Sequence, residues 1–157
     1  MSSLENIPLN QRTPEMCLKA VKEDGFELMY IPDHLRTPEL CREAVNQRGD
    51  AIIFVPEHIC TPEMCLDAIR KDVDAMVWIP KHIHTHDFYL DATRINGNML
   101  MHIPNHLRTP ELCREAVNQR GDAIIFVPEH ICTPEMCRKA INDGCSLDLI
   151  PEQFRTI

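Results

Sequence analysis

The residues best equipped for chemistry lie between His82 and Asp87, where His82, His84 and His86 alternate with Ile83 and Thr85 and run into Asp87. Three imidazoles and a carboxylate are zinc-ligand types. A second set is His58, Cys60 and Cys65, mirrored by His130, Cys132 and Cys137, although Cys-x4-Cys is only weakly zinc-like. A cysteine beside a histidine also has the makings of a nucleophile and its base. Arg48-Gly49-Asp50 and Arg120-Gly121-Asp122 spell an integrin-type tripeptide. Each grouping has a plainer origin in the way the chain is built. His82 stands where His34, His58, His106 and His130 also stand, while His84 replaces an Arg or Cys and His86 a Pro. Every Cys–His pairing recurs by repetition, whereas catalysis needs a unique constellation. All five glycines hold one place in the repeat, so no glycine-rich phosphate loop is formed. The expectation is a protein with no catalytic residues, no structural metal and no cofactor. The alternative is a metal-dependent or Cys/His-dependent enzyme acting through the unit that carries His82, His84 and His86.

The element that must position these residues is a 24-residue unit. Copies span 7–30, 31–54, 55–78, 79–102, 103–126 and 127–149, with a partial copy at 150–157, and together form a single repeat domain over 1–157. Fixed-period similarity is the signature of a stacked array. Position 7 is Thr13, Thr37, Thr61, Thr85, Thr109 and Thr133; position 8 is Pro in all but one copy; position 9 is always acidic. Thr caps a helix, Pro fits its first turn, and an acid faces the positive end of its dipole. Apolar residues at positions 10, 11, 14 and 15, such as Leu40, Cys41, Ala44 and Val45, form one helix face. Position 14 is Ala in all six full copies, which suggests close approach of a neighbouring backbone. Gly at position 19 (Gly25, Gly49, Gly97, Gly121, Gly144) reads as the left-handed residue that ends the helix. Asp or Asn at position 20 (Asp50, Asp74, Asn98, Asp122) suits the N-cap of a second short helix, which the next unit's Pro stops. The expected fold is therefore an all-α tandem repeat array, a solenoid of short helices. Five apolar residues also have strand length, so an α/β solenoid like the leucine-rich repeats is the alternative.

The unit resembles a bacterial repeat family classed as domain of unknown function 4116, through Thr37-Pro38-Glu39-Leu40-Cys41, Ala44-Val45, Gly49 and Phe54-Val55-Pro56-Glu57. The resemblance covers nearly the whole chain. It implies tandem helical repeats of the kind found in large bacterial proteins, some secreted into hosts, and it implies no activity or catalytic residues.

The formal charge is −8, from 16 bases and 24 acids. Six of the acids are the position-9 residues, and the other 18 nearly balance the bases. No clustered basic surface is left for nucleic acid. No apolar run reaches 18 residues, so no membrane span is expected, and Met1–Asn6 lacks signal-peptide character. Five of the eight cysteines fall at position 11 on the apolar helix face, where free Cys acts as a small hydrophobe. That usage points to a reducing, cytoplasmic setting, compatible with delivery into a host cell. The expected function is a protein-binding scaffold. Unit four departs most from the repeat, and His82, His84, His86, Tyr89 and His102 are its candidate binding residues. The position-4 histidines have two readings: a capping or inter-unit hydrogen bond, or an exposed row that charges together near pH 6.

Overall fold

The computed structural model describes residues 3–155; Thr156 and Ile157, the end of the partial unit 150–157, lie outside the described residues. Six threonines turn the chain into helix. Thr13, Thr37, Thr61, Thr85, Thr109 and Thr133 have extended backbone, and each hydroxyl accepts the N–H three residues on at 3.2–3.3 Å. The helices that follow are α1 (Pro14–Glu23), α2 (Pro38–Gln47), α3 (Pro62–Lys71), α4 (His86–Ile95), α5 (Pro110–Gln119) and α6 (Pro134–Asn142).

The second element of each unit is also helical. It is a six-residue 3-10 helix in five units: Gly25–Tyr30, Gly49–Phe54, Val73–Trp78, Gly97–His102 and Gly121–Phe126. No strand occurs among the described residues. The fold is an all-α helical repeat array, and the leucine-rich alternative is set aside. The cap of this second helix differs from expectation. It is position 18, not 20: Asp24, Asp72 and Asn96 are extended and accept the N–H two residues on. The α-helix closes with the position-18 N–H on the position-14 carbonyl, as in Arg48 to Ala44 at 2.9 Å, and position 18 itself is extended. The turn is then made at position 18, and the glycine becomes the first residue of the 3-10 helix.

The chain divides into two compact bodies, Met1–His84 and Thr85–Ile157. In the first, α1 packs on α2 and α2 on α3, with Gly25–Tyr30 against α1 and α2 and Gly49–Phe54 against α2 and α3. In the second, α4 packs on α5 and α5 on α6, with Gly97–His102 and Gly121–Phe126 seated in the same manner. Equivalent positions are buried in row after row: Cys41, Ala44, Val45 and Ile52 in one unit answer Cys65, Ala68, Ile69 and Met76 in the next.

Those rows leave no room for a side chain at Gly25, Gly49, Gly97 and Gly121, the position-19 residues of units one, two, four and five, whereas unit three carries Val73 there. A Cβ on Gly25 would stand 2.4 Å from the Ala44 carbonyl oxygen, and one on Gly97 2.5 Å from that of Ala116. These glycines are a packing requirement, not the left-handed cap expected. Among the described residues only Gly144 has positive φ, at 90°. Unit six has lost one residue, and there α6 does end on a left-handed glycine. Gly144 N–H bonds the Ile141 carbonyl and Cys145 N–H the Ala140 carbonyl, both at 2.9 Å, the paired closure of a Schellman motif.

Candidate functional site

Where position 6, the residue just before the helix-capping Thr, is arginine, it holds the turn together. Arg36 Nε–H donates to the Ile31 carbonyl at 2.7 Å and its Nη1 to the Phe54 carbonyl at 2.8 Å. Arg108 repeats both bonds to Ile103 and Phe126, at 2.7 and 2.6 Å. Arg12 bonds Ile7 and Tyr30 in the same way, and Arg155 bonds Ile150 at 2.8 Å. One guanidinium thus joins the first and last residues of a unit. The bond expected of the position-4 histidines is made by this arginine instead, and His34, His58, His82, His106 and His130 are all exposed. Three of these arginines, Arg12, Arg36 and Arg108, are therefore partly buried, while Arg155 stays exposed.

Units three and six carry Cys60 and Cys132 at position 6. Each thiol meets the position-11 cysteine of its own helix: Cys60 Sγ lies 3.2 Å from Cys65 Sγ, and Cys132 Sγ 3.4 Å from Cys137 Sγ. Burial pushes Cys41 and Cys113 up to about 11 and Cys132 up to about 12, so these thiols are neutral at physiological pH.

Unit four places His84 at position 6. His84 bonds the Ile79 backbone as the arginines bond theirs, and burial holds its pKa below the usual histidine value. It is a neutral structural residue at pH 7. Tyr89 is not a surface anchor either: it is 3% exposed, fills the position-11 slot that Cys takes elsewhere, and lies beside Phe88 with ring centroids 6.4 Å apart. The ring is apolar enough to extend the buried row, which is why the substitution is tolerated. His102 is half-buried at the position of Phe54 and Phe126. His86 is exposed and approaches Glu111 at 3.4 Å. His82 is exposed on the body formed by the first three units and the start of the fourth. The five candidates are thus divided between core, turn and surface. Among the described residues, no three His, Cys, Asp or Glu side chains are placed to hold a metal ion. The Arg-Gly-Asp tripeptide at 48–50 is likewise engaged: Arg48 bonds Asp50 at 3.1 Å and covers the Phe26 ring at 3.7 Å, and Gly49 is buried.

A surface that the sequence did not single out is the row at position 23. Met29, Ile53 and Val77 are exposed in the first body, and Met101 and Ile125 in the second. A 3-10 helix has three residues per turn, so positions 22, 23 and 24 point in three directions. Position 22 (Leu28, Ile52, Met76, Leu100, Ile124) takes the core, which leaves position 23 facing out. Spacing by three, not by 3.6, is the signal that would have found it. Two grooves open beside the row. In the first body Ile53, Val55, Val77, Trp78 and Pro80 line about 560 Å³, with Glu57, Lys81 and His82 at the rim. In the second, Ile125, Val127, Leu149 and Pro151 line about 500 Å³, rimmed by Glu129, Asp148 and Glu152. Val77 is 65% and Trp78 50% exposed.

No helix among the described residues is long and apolar enough to cross a membrane. No curated protein and no solved structure matches the chain. One family model does match, over residues 13–60 and 85–132. Each match begins at a capping Thr and runs for two 24-residue units, to the position-6 cysteine of the third turn. The chain therefore belongs to the family described as Domain of unknown function (DUF4116).

Proposed function

We propose that this chain is a non-catalytic scaffold that binds a protein partner along its 3-10 face. The observation that carries the reading is position 23, apolar and exposed within each body: Met29, Ile53 and Val77 in the first, Met101 and Ile125 in the second. Contiguous exposed apolar surface marks interaction sites, and a half-exposed Trp beside it is the residue type most often found as a binding anchor. Repetition of one side chain per unit suits an extended partner surface and not a single reaction centre. In the first body His82 stands at the rim of the groove beside this face, whereas Tyr89 of the second body contributes nothing to it, because its ring is in the core.

The test is affinity capture from bacterial and host-cell lysates with quantitative mass spectrometry. Three baits are compared: the wild-type chain, Ile53→Asp/Val77→Asp, and Arg42→Ala/Arg70→Ala on polar helix faces. A true partner is retained by the wild type and the arginine variant. It is lost at least tenfold by the Ile53/Val77 variant, equivalent to about 1.4 kcal/mol. Capture that ignores the Ile53/Val77 change, with the circular dichroism spectrum preserved, rejects this face.

A further inference from the structure

We propose that Cys60–Cys65 and Cys132–Cys137 are oxidisable dithiols, each closing to a disulfide that replaces the arginine staple of its unit. Three observations converge on the pairs. The sulfurs are already 3.2 and 3.4 Å apart, about 1.2–1.4 Å from bonding distance. The outer thiols hold position 6, where Arg12, Arg36, Arg108 and Arg155 make the bonds that pin the turn to the rest of the unit. Units three and six lack those guanidinium bonds and have a thiol pair in the same slot. The outer cysteines are also the less completely covered of each pair: Cys60 keeps 7% and Cys132 8% residue exposure, while Cys65 and Cys137 keep none. Cys17, Cys41 and Cys113 share position 11 with the inner thiols, but each faces an arginine at position 6.

The oxidant is a low-molecular-weight disulfide. The thiolate of Cys60 attacks one of its sulfurs, the oxidant's S–S bond breaks, and one small thiol leaves. Cys65 then attacks the Cys60 sulfur of the mixed disulfide and expels the second small thiol. Two electrons pass to the oxidant, the two cysteine protons end on the two released thiols, and one intrachain S–S bond is formed. Cys132 and Cys137 follow the same sequence more slowly, because burial keeps the Cys132 thiol protonated and leaves little thiolate to start the exchange. The clip ties the turn carrying Glu57 and His58 to α3, and the turn carrying Glu129 and His130 to α6. In a reducing compartment both pairs stay open.

The folded full chain is equilibrated with oxidised glutathione, quenched with an alkylating agent and digested with trypsin. Peptides 49–70 and 121–138 each contain one pair and no other cysteine. Both should lose two hydrogens and escape alkylation, while Cys17, Cys41 and Cys113 remain alkylatable after denaturation. The thermal midpoint of the oxidised chain should rise by several degrees and return with a reductant. Arg36→Cys gives a second reading: it sets a thiol opposite Cys41, so tryptic peptide 23–42 should acquire the same oxidised form. Cys60→Ser/Cys132→Ser should retain the fold and form neither clip. Free thiols in both peptides at equilibrium, glutathione retained on Cys60 and Cys132 without closure, or a bridge from Cys41 to Cys60 would each overturn the proposal.

Discussion

A Cβ on Gly49 would stand 2.4 Å from the carbonyl oxygen of Ala68, one unit further along the chain. The same approach joins Gly25 to Ala44 and Gly97 to Ala116, so the small residues at positions 19 and 14 are two halves of one contact. The carbonyl that receives the glycine is also the one that accepts the position-18 N–H, as Ala68 does from Asp72 at 2.9 Å. Helix end and unit stacking thus meet on a single peptide group.

Gly49→Ala is therefore expected to destabilise the first body by about 1–3 kcal/mol, because backbone and not a flexible side chain must yield. Gly144→Ala meets nothing within 4 Å and carries only the left-handed strain of φ 90°, about 1 kcal/mol. Urea unfolding followed by circular dichroism measures both. A larger loss at Gly144 than at Gly49 would show that backbone conformation, not packing, selects these glycines.

Arg36→Leu should cost about 2–3 kcal/mol. It leaves the Ile31 and Phe54 carbonyls without their charged donor while keeping most of the stem's volume. Arg36→Lys should recover at most one of the two bonds, since an ammonium lacks the fork that reaches both carbonyls. The check is the order of unfolding midpoints: wild type, then Lys, then Leu.

Thr93 is fully buried at position 15, where other units have Val or Ile, and its hydroxyl has no hydrogen-bond partner. Thr93→Val keeps the shape and removes the unsatisfied group. Stability should increase by about 1–2 kcal/mol. An unchanged or lower denaturation midpoint would mean that the hydroxyl is satisfied in solution.

Burial lowers the pKa of His84, so the native state prefers the neutral ring. The associated stability is present above the ordinary histidine pKa of about 6.5 and is lost as pH falls through the lower native value. His84→Arg restores the residue type of units one, two and five and should flatten this acid limb. Thermal midpoints of both proteins between pH 7.5 and about 5 decide it: parallel curves would assign the acid sensitivity to other groups.

The parts of the fold written in the sequence are those whose determinants lie within a few residues. Thr-Pro-Glu starts a helix because cap, ring and dipole act inside one turn, and all six predicted starts are present. The Pro that opens each unit ends the preceding helix for an equally local reason. The 24-residue period declared the array, since stacking needs equal units. What the tertiary structure decided depends on partners distant along the chain. Gly49 looked like a helix cap until Ala68, 19 residues on, was seen to occupy the space of its side chain. Arg36 looked like surface charge until its fork closed on Phe54, 18 residues away. Tyr89 and His84 stood out as departures from the repeat, and departure alone does not tell a surface residue from a core one. Only the packed helices show that Tyr89 fills a cysteine's slot and that His84 bonds the Ile79 backbone from the arginine's place. The exposed row was hidden for another reason. Adjacent apolar residues such as Ile52 and Ile53 are equivalent in composition, and the three-residue turn of the 3-10 helix sends the first into the core and the second into solvent.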